Sequence, residues 1–275
     1  MNQPGPFAET QVTGAQSVER ALALLSLVGR NGDSGASLSQ IVGASGLNKP
    51  TARRLLMALM RARLVDQDPA SRKYTLGPEL YVLGILAGRR HGLLAHSMDA
   101  LRRLSEETGD TSFLTVRQGS YALCLHRQEG SHPVRTHALQ VGDQHPLGVG
   151  AGAMAILAAL PEQERDAIIA QMAHEYALIG SYSADQVRLD VETTVKAGHA
   201  LNPGLFVSSS WGIGRAIRLP DGEVAGAISI AAVDSRLGPQ RQEELAALLA
   251  REATAIEARL QKVFAPQGGT EEGRK

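Results

Sequence analysis

The stretch from Ser37 to Arg61 leaves this chain few choices of fold. Its pattern predicts a helix, a tight turn and a second helix. Ser37 can cap the first helix, because its hydroxyl takes up a backbone N–H that has no partner within the helix. The helix ends at Ser45-Gly46, where glycine accepts a left-handed turn. Leu38, Ile41 and Val42 form its apolar stripe. The second helix starts at Asn48 or Lys49, and Pro50 is tolerated because the first-turn N–H groups bond to nothing in the helix anyway. Ala52, Leu55, Leu56 and Leu59 recur at the spacing of one buried helix face. Projected around the axis, Arg54 and Arg61 fall nearly opposite that stripe, with Met57 close to them, Thr51 and Arg53 on the flanks and Ala58 between. Such a face fits a DNA major groove, where an arginine fork reads guanine and Asn or Thr meets phosphate or a base edge. Basic residues also suit any solvated helix face, so this pattern alone leaves both readings open.

The rest of the N-terminal third supports the nucleic-acid reading. Ser17 is expected to cap a helix from Val18 to about Arg30 with the stripe Val18, Ala21, Leu22, Leu25 and Val28. Leu24 and Leu27 fall outside that stripe and call for a second partner. Two short strands, 62–66 and 72–76, flank the turn residues 67–71. Three helices and a hairpin make a winged helix-turn-helix, with Arg72 and Lys73 on the wing. Residues 15–78 hold nine Lys/Arg against four acids, so a segment of charge +5 is joined to a remainder of −5 in a chain that is neutral overall. A basic module on an acidic body is the footprint of a protein that touches nucleic acid at one end.

The 275 residues predict more than one domain. The expected division is a disordered tail at 1–14, the winged helix at 15–78, a linker helix at 79–94, a second domain at 95–264 and a disordered tail at 265–275. In the second domain a helix over 95–108 precedes strands at 111–117, 121–128 and 134–139. Helices at 151–160, 162–172 and 184–198 follow, the last with a Ser183/Gln186 capping box. Strands at 213–219 and 223–232 flank a Pro-Asp-Gly turn, and a long helix from Pro239 to about Phe264 ends the fold. Strands arriving as hairpins around helices predict an α+β domain with a mostly antiparallel sheet.

Three features of this second part bear on function. The run Leu147–Ala153 places glycines at a helix start, where free N–H groups favour an anion; equally, the glycines could serve close packing alone. Trp211, the only tryptophan, either lines a pocket or plugs the core. Ser229 is a hydroxyl in an apolar strand and needs a partner if buried. His126, His132, His137 and His145 lack metal-ligand spacing. Cys124, the single cysteine, reads as a packed strand residue, and no nucleophile-elbow pattern is present. No cofactor, metal or catalytic role is therefore expected. No run is apolar enough to span a bilayer and no signal-peptide pattern opens the chain, so a cytoplasmic protein without membrane contact is expected.

These motifs together resemble the IclR family of bacterial transcriptional regulators. Ser17–Leu22 resembles the start of its first helix, Gly46–Leu56 its recognition helix and Tyr74–Leu80 its wing exit. Pro146–Gly152 and Gly226–Ile230 resemble its two effector-pocket motifs. The resemblance implies a GAF-like effector-binding domain for a small organic or aromatic acid, and a dimer or dimer of dimers on palindromic operator DNA. The DNA-contacting set would be Asn48, Lys49, Thr51, Arg53, Arg54, Arg61, Arg72 and Lys73. Gly150 and Ala151 would offer backbone to the effector's carboxylate, with Ser229 as hydroxyl partner and Trp211 as a wall. Ala231 stands where the family often has a second serine, and Ala200–Trp211 contains no carboxylate. Both departures favour an aromatic or longer-chain acid. The alternative is an enzyme acting on small acids, with the N-terminal module as a DNA or protein tether.

Overall fold

The computed structural model describes residues 15–133, 139–180 and 182–264, and the chain divides into two compact units between His91 and Gly92. It is an α+β protein of two domains, a helix-turn-helix unit and a unit built on an antiparallel sheet. The expected tails, most of the strand expected at 134–139, and His137 lie outside the described residues.

The first unit contains α1 (Gln16–Gly29), α2 (Leu38–Ser45), α3 (Lys49–Arg61), β1 (Val65–Gln67), β2 (Tyr74–Leu76) and α4 (Pro78–His91). Ser37 and Gln40 form a full capping box at α2: Gln40 N–H donates to Ser37 Oγ at 3.3 Å, and Ser37 N–H donates to Gln40 Oε1 at 2.8 Å. Gly46 closes α2 at φ 66°, where a Cβ would be strained. Leu24, Val28, Ile41, Ala52, Leu56, Leu59, Val65 and Tyr74 make the core. Ala36 and Tyr74 exchange backbone hydrogen bonds of 2.9 and 2.8 Å, which add a third extended segment to the β1–β2 pair.

The face expected for α1 is corrected. Leu24 and Val28 are its buried residues, whereas Val18 and Leu22 are exposed. The cap is also displaced: Ser17 lies inside the helix, and the N-cap residue is Ala15, without a side-chain bond. Leu24 had no partner along its own helix, but α2, α3 and β2 supply one. Leu56→Ala, at a fully buried site, is expected to destabilise the first unit by about 2–5 kcal/mol. Chemical denaturation followed by far-UV circular dichroism checks this.

The second unit carries a six-stranded sheet in the order β5-β4-β3-β8-β7-β6, with every neighbouring pair antiparallel. Its strands are β3 (Thr111–Gln118), β4 (Tyr121–Gln128), β5 (Gln144–Pro146), β6 (Ala200–Val207), β7 (Ser210–Arg218) and β8 (Val224–Val233). One face packs on α5 (Leu93–Thr108) and α10 (Pro239–Phe264) through Leu101, Leu114, Ile213, Ile228, Ile230, Leu249 and Ile256. Arg103 of α5 grips Glu252 of α10 through Nη2 at 2.6 Å and Nε at 3.2 Å. Burial raises the Glu252 pKa, but hydrogen bonds from Arg103 and Arg251 outweigh it and leave the carboxyl below its ordinary value. The opposite face takes α6 (Ala151–Ala159), with α7 (Glu162–Gln171), α8 (Ala173–Leu178) and α9 (Ala184–Ala197) closing the second core.

β6 is a strand in a segment to which the sequence pattern assigned no element. Pro203 and Gly204 disrupt a central strand, but β6 is the edge of the sheet, and its pairing with β7 is interrupted between Asn202 and Val207. The expected linker helix ends at His91, and α5 starts two residues later, after Gly92. At α9 only half of the expected box forms: Ser183 Oγ accepts from Gln186 N–H, while the Gln186 side chain donates to Asp190.

Candidate functional site

α3 turns Ala52, Leu56 and Leu59 inward, which leaves Lys49, Pro50, Arg53, Arg54, Met57, Ala58 and Arg61 exposed. Lys49, Arg53, Arg54 and Arg61 surround a shallow surface concavity together with Pro50 and Met57. Among the described residues none of these four cations is in an ion pair. They lie on one outward strip with their charge uncompensated, as a phosphate-and-base-reading surface requires. Asn48 has a structural task first, since its Oδ1 accepts the Thr51 N–H at 2.9 Å and caps α3. That leaves its side-chain NH2 outward; Thr51 itself is half-buried.

The wing is held by its own polar groups. Asp68 Oδ1 accepts the Ser71 N–H at 2.6 Å, and Gln67 Nε2 donates to the Arg72 carbonyl at 2.9 Å. Hydrogen bonding from Ser71 lowers the Asp68 pKa. Arg72 is exposed at φ 59°. Lys73 is half-buried, and its ammonium donates to the Ser34 carbonyl at 3.0 Å. Of the two wing cations, Arg72 is therefore the freer.

In the second unit a small cavity lies between the sheet and the N-terminus of α6. It holds about 40 Å³, room for no more than a few water molecules. β3 contributes Phe113 and Thr115, β8 Ser229 and Ala231, β7 Gly212, β6 Asn202 and Phe206, and β5 His145. Gly150, Ala151 and Gly152 form the rim. The α6 terminus approaches the sheet this closely because β7 has glycine opposite it: a Cβ at Gly214 would stand 2.6 Å from the Ala151 carbonyl oxygen. A methyl group at Gly152 would lie 2.9 Å from Thr115 Oγ1 and 3.3 Å from Ser229 Oγ, so both hydroxyls face the first turn of α6.

Gly150 has a different part from the one expected. Its N–H donates to Tyr182 Oη at 3.1 Å and is not free for a ligand. Burial pushes the Tyr182 phenol up to about 12, so it stays neutral. The N–H groups of Ala151, Gly152 and Ala153 have no hydrogen-bond partner among the described residues. With the Thr115 and Ser229 hydroxyls beside Gly152 they make a cradle of donors of the kind that can hold an anion. Among the described residues no lysine or arginine lines it.

Trp211 borders the cavity, and its ring also packs against the α5/α10 side of the sheet. Phe206 is the aromatic that covers the polar end, stacked on His145 at a centroid distance of 5.6 Å and 27° between planes. His145 is 5% exposed, and its Nδ1 is buried without a hydrogen-bond partner. Burial pushes the imidazole down to about 4, against the opposing pull of Asp143 and the Val149 backbone. Among the described residues no three His, Cys, Asp or Glu side chains converge on a metal-sized site. Sequence reasoning missed Thr115, Phe113, Asn202 and Phe206. Only the alternation of β3 carried a signal for the first two.

Comparison with known proteins adds a separate line. Residues 87–258 match the family described as bacterial transcriptional regulator IclR C-terminal, and residues 17–69 match the IclR helix-turn-helix domain. The chain is 27% identical over 229 residues to the HTH-type transcriptional regulator KipR of Bacillus subtilis, covering 82% of this chain and 89% of KipR. It is 28% identical over 240 residues to the HTH-type transcriptional repressor AllR of Escherichia coli K12, covering 87% and 88%. The crystal structure of an IclR transcriptional regulator from Alicyclobacillus acidocaldarius superposes with a TM-score of 0.77, covering 91% of this chain and all of that one. At 24% identity that likeness is one of fold.

Proposed function

Since this chain belongs to the IclR family of bacterial transcriptional regulators, we propose that α3 reads the major groove of a palindromic operator and that the cavity beside α6 binds the effector that controls it. The observation that carries the DNA half is the outward strip of α3, where Lys49, Arg53, Arg54 and Arg61 are exposed and lack ion pairs among the described residues. Arg72 on the wing adds a phosphate contact. Two copies of the chain would occupy the two half-sites.

The effector we propose is a carboxylic acid, and among acids an aromatic one. Its carboxylate would sit on the free N–H groups of the first turn of α6 and on the Thr115 and Ser229 hydroxyls. Phe113, Phe206 and Leu139 would wall its body. The volume of about 40 Å³ is far too small for an aromatic ring, so entry displaces the end of β6 that carries Phe206. An acid that binds the opened form more tightly than the closed one shifts the population between them, and operator affinity follows.

Fluorescence anisotropy on DNA from upstream of the chain's own gene, against random duplex over a range of salt, tests this reading. Specific DNA should win by more than about a hundredfold, with binding falling steeply as salt rises. Arg54→Ala should weaken specific binding by about 1–3 kcal/mol while affecting random DNA much less. Arg72→Ala should weaken both alike and reduce the salt slope by about 1. Equal losses on both duplexes for Arg54→Ala would remove its base-reading role.

A further inference from the structure

His145 is not accounted for by the anion cradle. It lies at the polar end of the cavity with Nδ1 buried and unpartnered, and a Cβ placed on Gly150 would lie 3.9 Å from its Nε2 and 3.8 Å from Asn202 Nδ2. A buried ring nitrogen without a hydrogen-bond partner is a standing loss that a ligand can recover. Helix dipole and hydroxyls compensate an entering carboxylate only in part, and among the described residues no lysine or arginine lines the cavity. Among the described residues that line the cavity, His145 is the one group able to become cationic.

Resting on the reading of this cavity as the effector site, we propose that His145 is the pocket's inducible cation. A carboxylate enters together with a proton that the imidazole takes up, and His145 thereby selects acids over uncharged molecules of the same shape. The proton comes from solvent or buffer, and a ring-nitrogen lone pair forms the new N–H bond. Phe206, stacked on the ring, stabilises the imidazolium through its π face.

The empty pocket keeps His145 neutral well below physiological pH, because burial depresses its pKa. An adjacent carboxylate raises it. Between the two values binding takes up a proton, so affinity increases as pH falls, by up to about tenfold per pH unit. The other ionisable groups in the surroundings are few. Asp143 precedes His145 by two residues; Tyr182 bonds to Gly150 and is itself influenced by Asp190 of α9. Tyr121, Cys124, His126 and Arg127 lie on β4, the strand paired with β5. The lining residues from β3, β6, β7 and β8 and the first turn of α6 contribute no ionisable group.

The test uses the full chain with benzoate as probe and benzamide as its uncharged counterpart. Calorimetry in phosphate and in Tris counts protons taken up on binding, from about pH 5.5 to about pH 8. Histidine-labelled protein reports the His145 ring, assigned from the signal missing in His145→Gln. Expected are proton uptake approaching one per benzoate at the acid end, a rise of the His145 titration midpoint by more than two units, and no uptake with benzamide. Benzoate binding without uptake, or with His145 still neutral, overturns the proposal and leaves the effector site standing. If neither benzoate, phenylacetate nor acetate binds at millimolar concentration, the effector-site reading falls and this proposal falls with it.

Discussion

A chain carrying Leu83→Glu and Leu86→Glu is expected to sediment as a monomer and to bind operator DNA about a thousandfold more weakly than the native chain. α4 exposes Tyr81, Val82, Leu83, Ile85 and Leu86 together, with Tyr81 74% and Leu86 57% accessible. Five large apolar side chains exposed within six residues of one helix are unusual on a monomer's surface and signal a partner. On the reading proposed above, of two copies on a palindromic operator, the expected partner is a second copy of the chain. Val18 and Leu22 on α1 add further exposed apolar area in the same unit. Two linked recognition helices gain about 10²–10⁴ in avidity over one, which sets the expected loss. Because neither leucine is buried within the chain, circular dichroism should be unchanged. Sedimentation velocity and anisotropy give the readouts, and a dimer that persists would place the interface elsewhere.

The second large effect is expected at the α6 cradle. Gly152→Ala adds one methyl group where Thr115 Oγ1 would be 2.9 Å away, closer than real Cβ atoms come. Thr115 is β-branched, nearly fully buried and fixed in a central strand, so it has little room to yield. On the proposed reading, the methyl group both fills the space the carboxylate would take and displaces the hydroxyls that would bind it. Effector affinity should fall by about a hundredfold, some 2.7 kcal/mol, while operator binding without effector stays unchanged. Titrating benzoate into protein–DNA complexes of the native and variant chains separates the two. Equal responses would show that the acid sits elsewhere.

The helix-turn-helix was legible in sequence because its signals are local. A serine with a glutamine three residues on, a glycine at the turn, an asparagine before Lys49-Pro50 and a four-residue apolar stripe all act within 25 residues. α1 was read less well, since its stripe by periodicity includes Val18 and Leu22, and only the position of α2, α3 and β2 decides that Leu24 is the buried residue. β6 was hidden because Pro203 and Gly204 carry loop chemistry that an edge strand tolerates. The cavity was legible only along its rim. Gly150, Ala151 and Ser229 come from motifs contiguous in sequence, but Thr115, His145, Asn202 and Phe206 arrive on three different strands. Nor can a sequence show that the Gly150 N–H is taken by Tyr182, thirty-two residues further on.

The order of strands in the sheet has a consequence for how the protein is made. β3 and β8 are adjacent at its centre, with Phe113 opposite Ser229, so the sheet cannot close until the ribosome has delivered nearly the whole chain. The helix-turn-helix core is complete once Tyr74 has emerged, and its contacts are short in sequence and quick to form. Synthesis thus yields a folded reading head well before a folded sensor. During that interval the second unit's apolar strands are unpaired and in need of protection, and the nascent regulator can reach DNA before its effector-binding domain is folded.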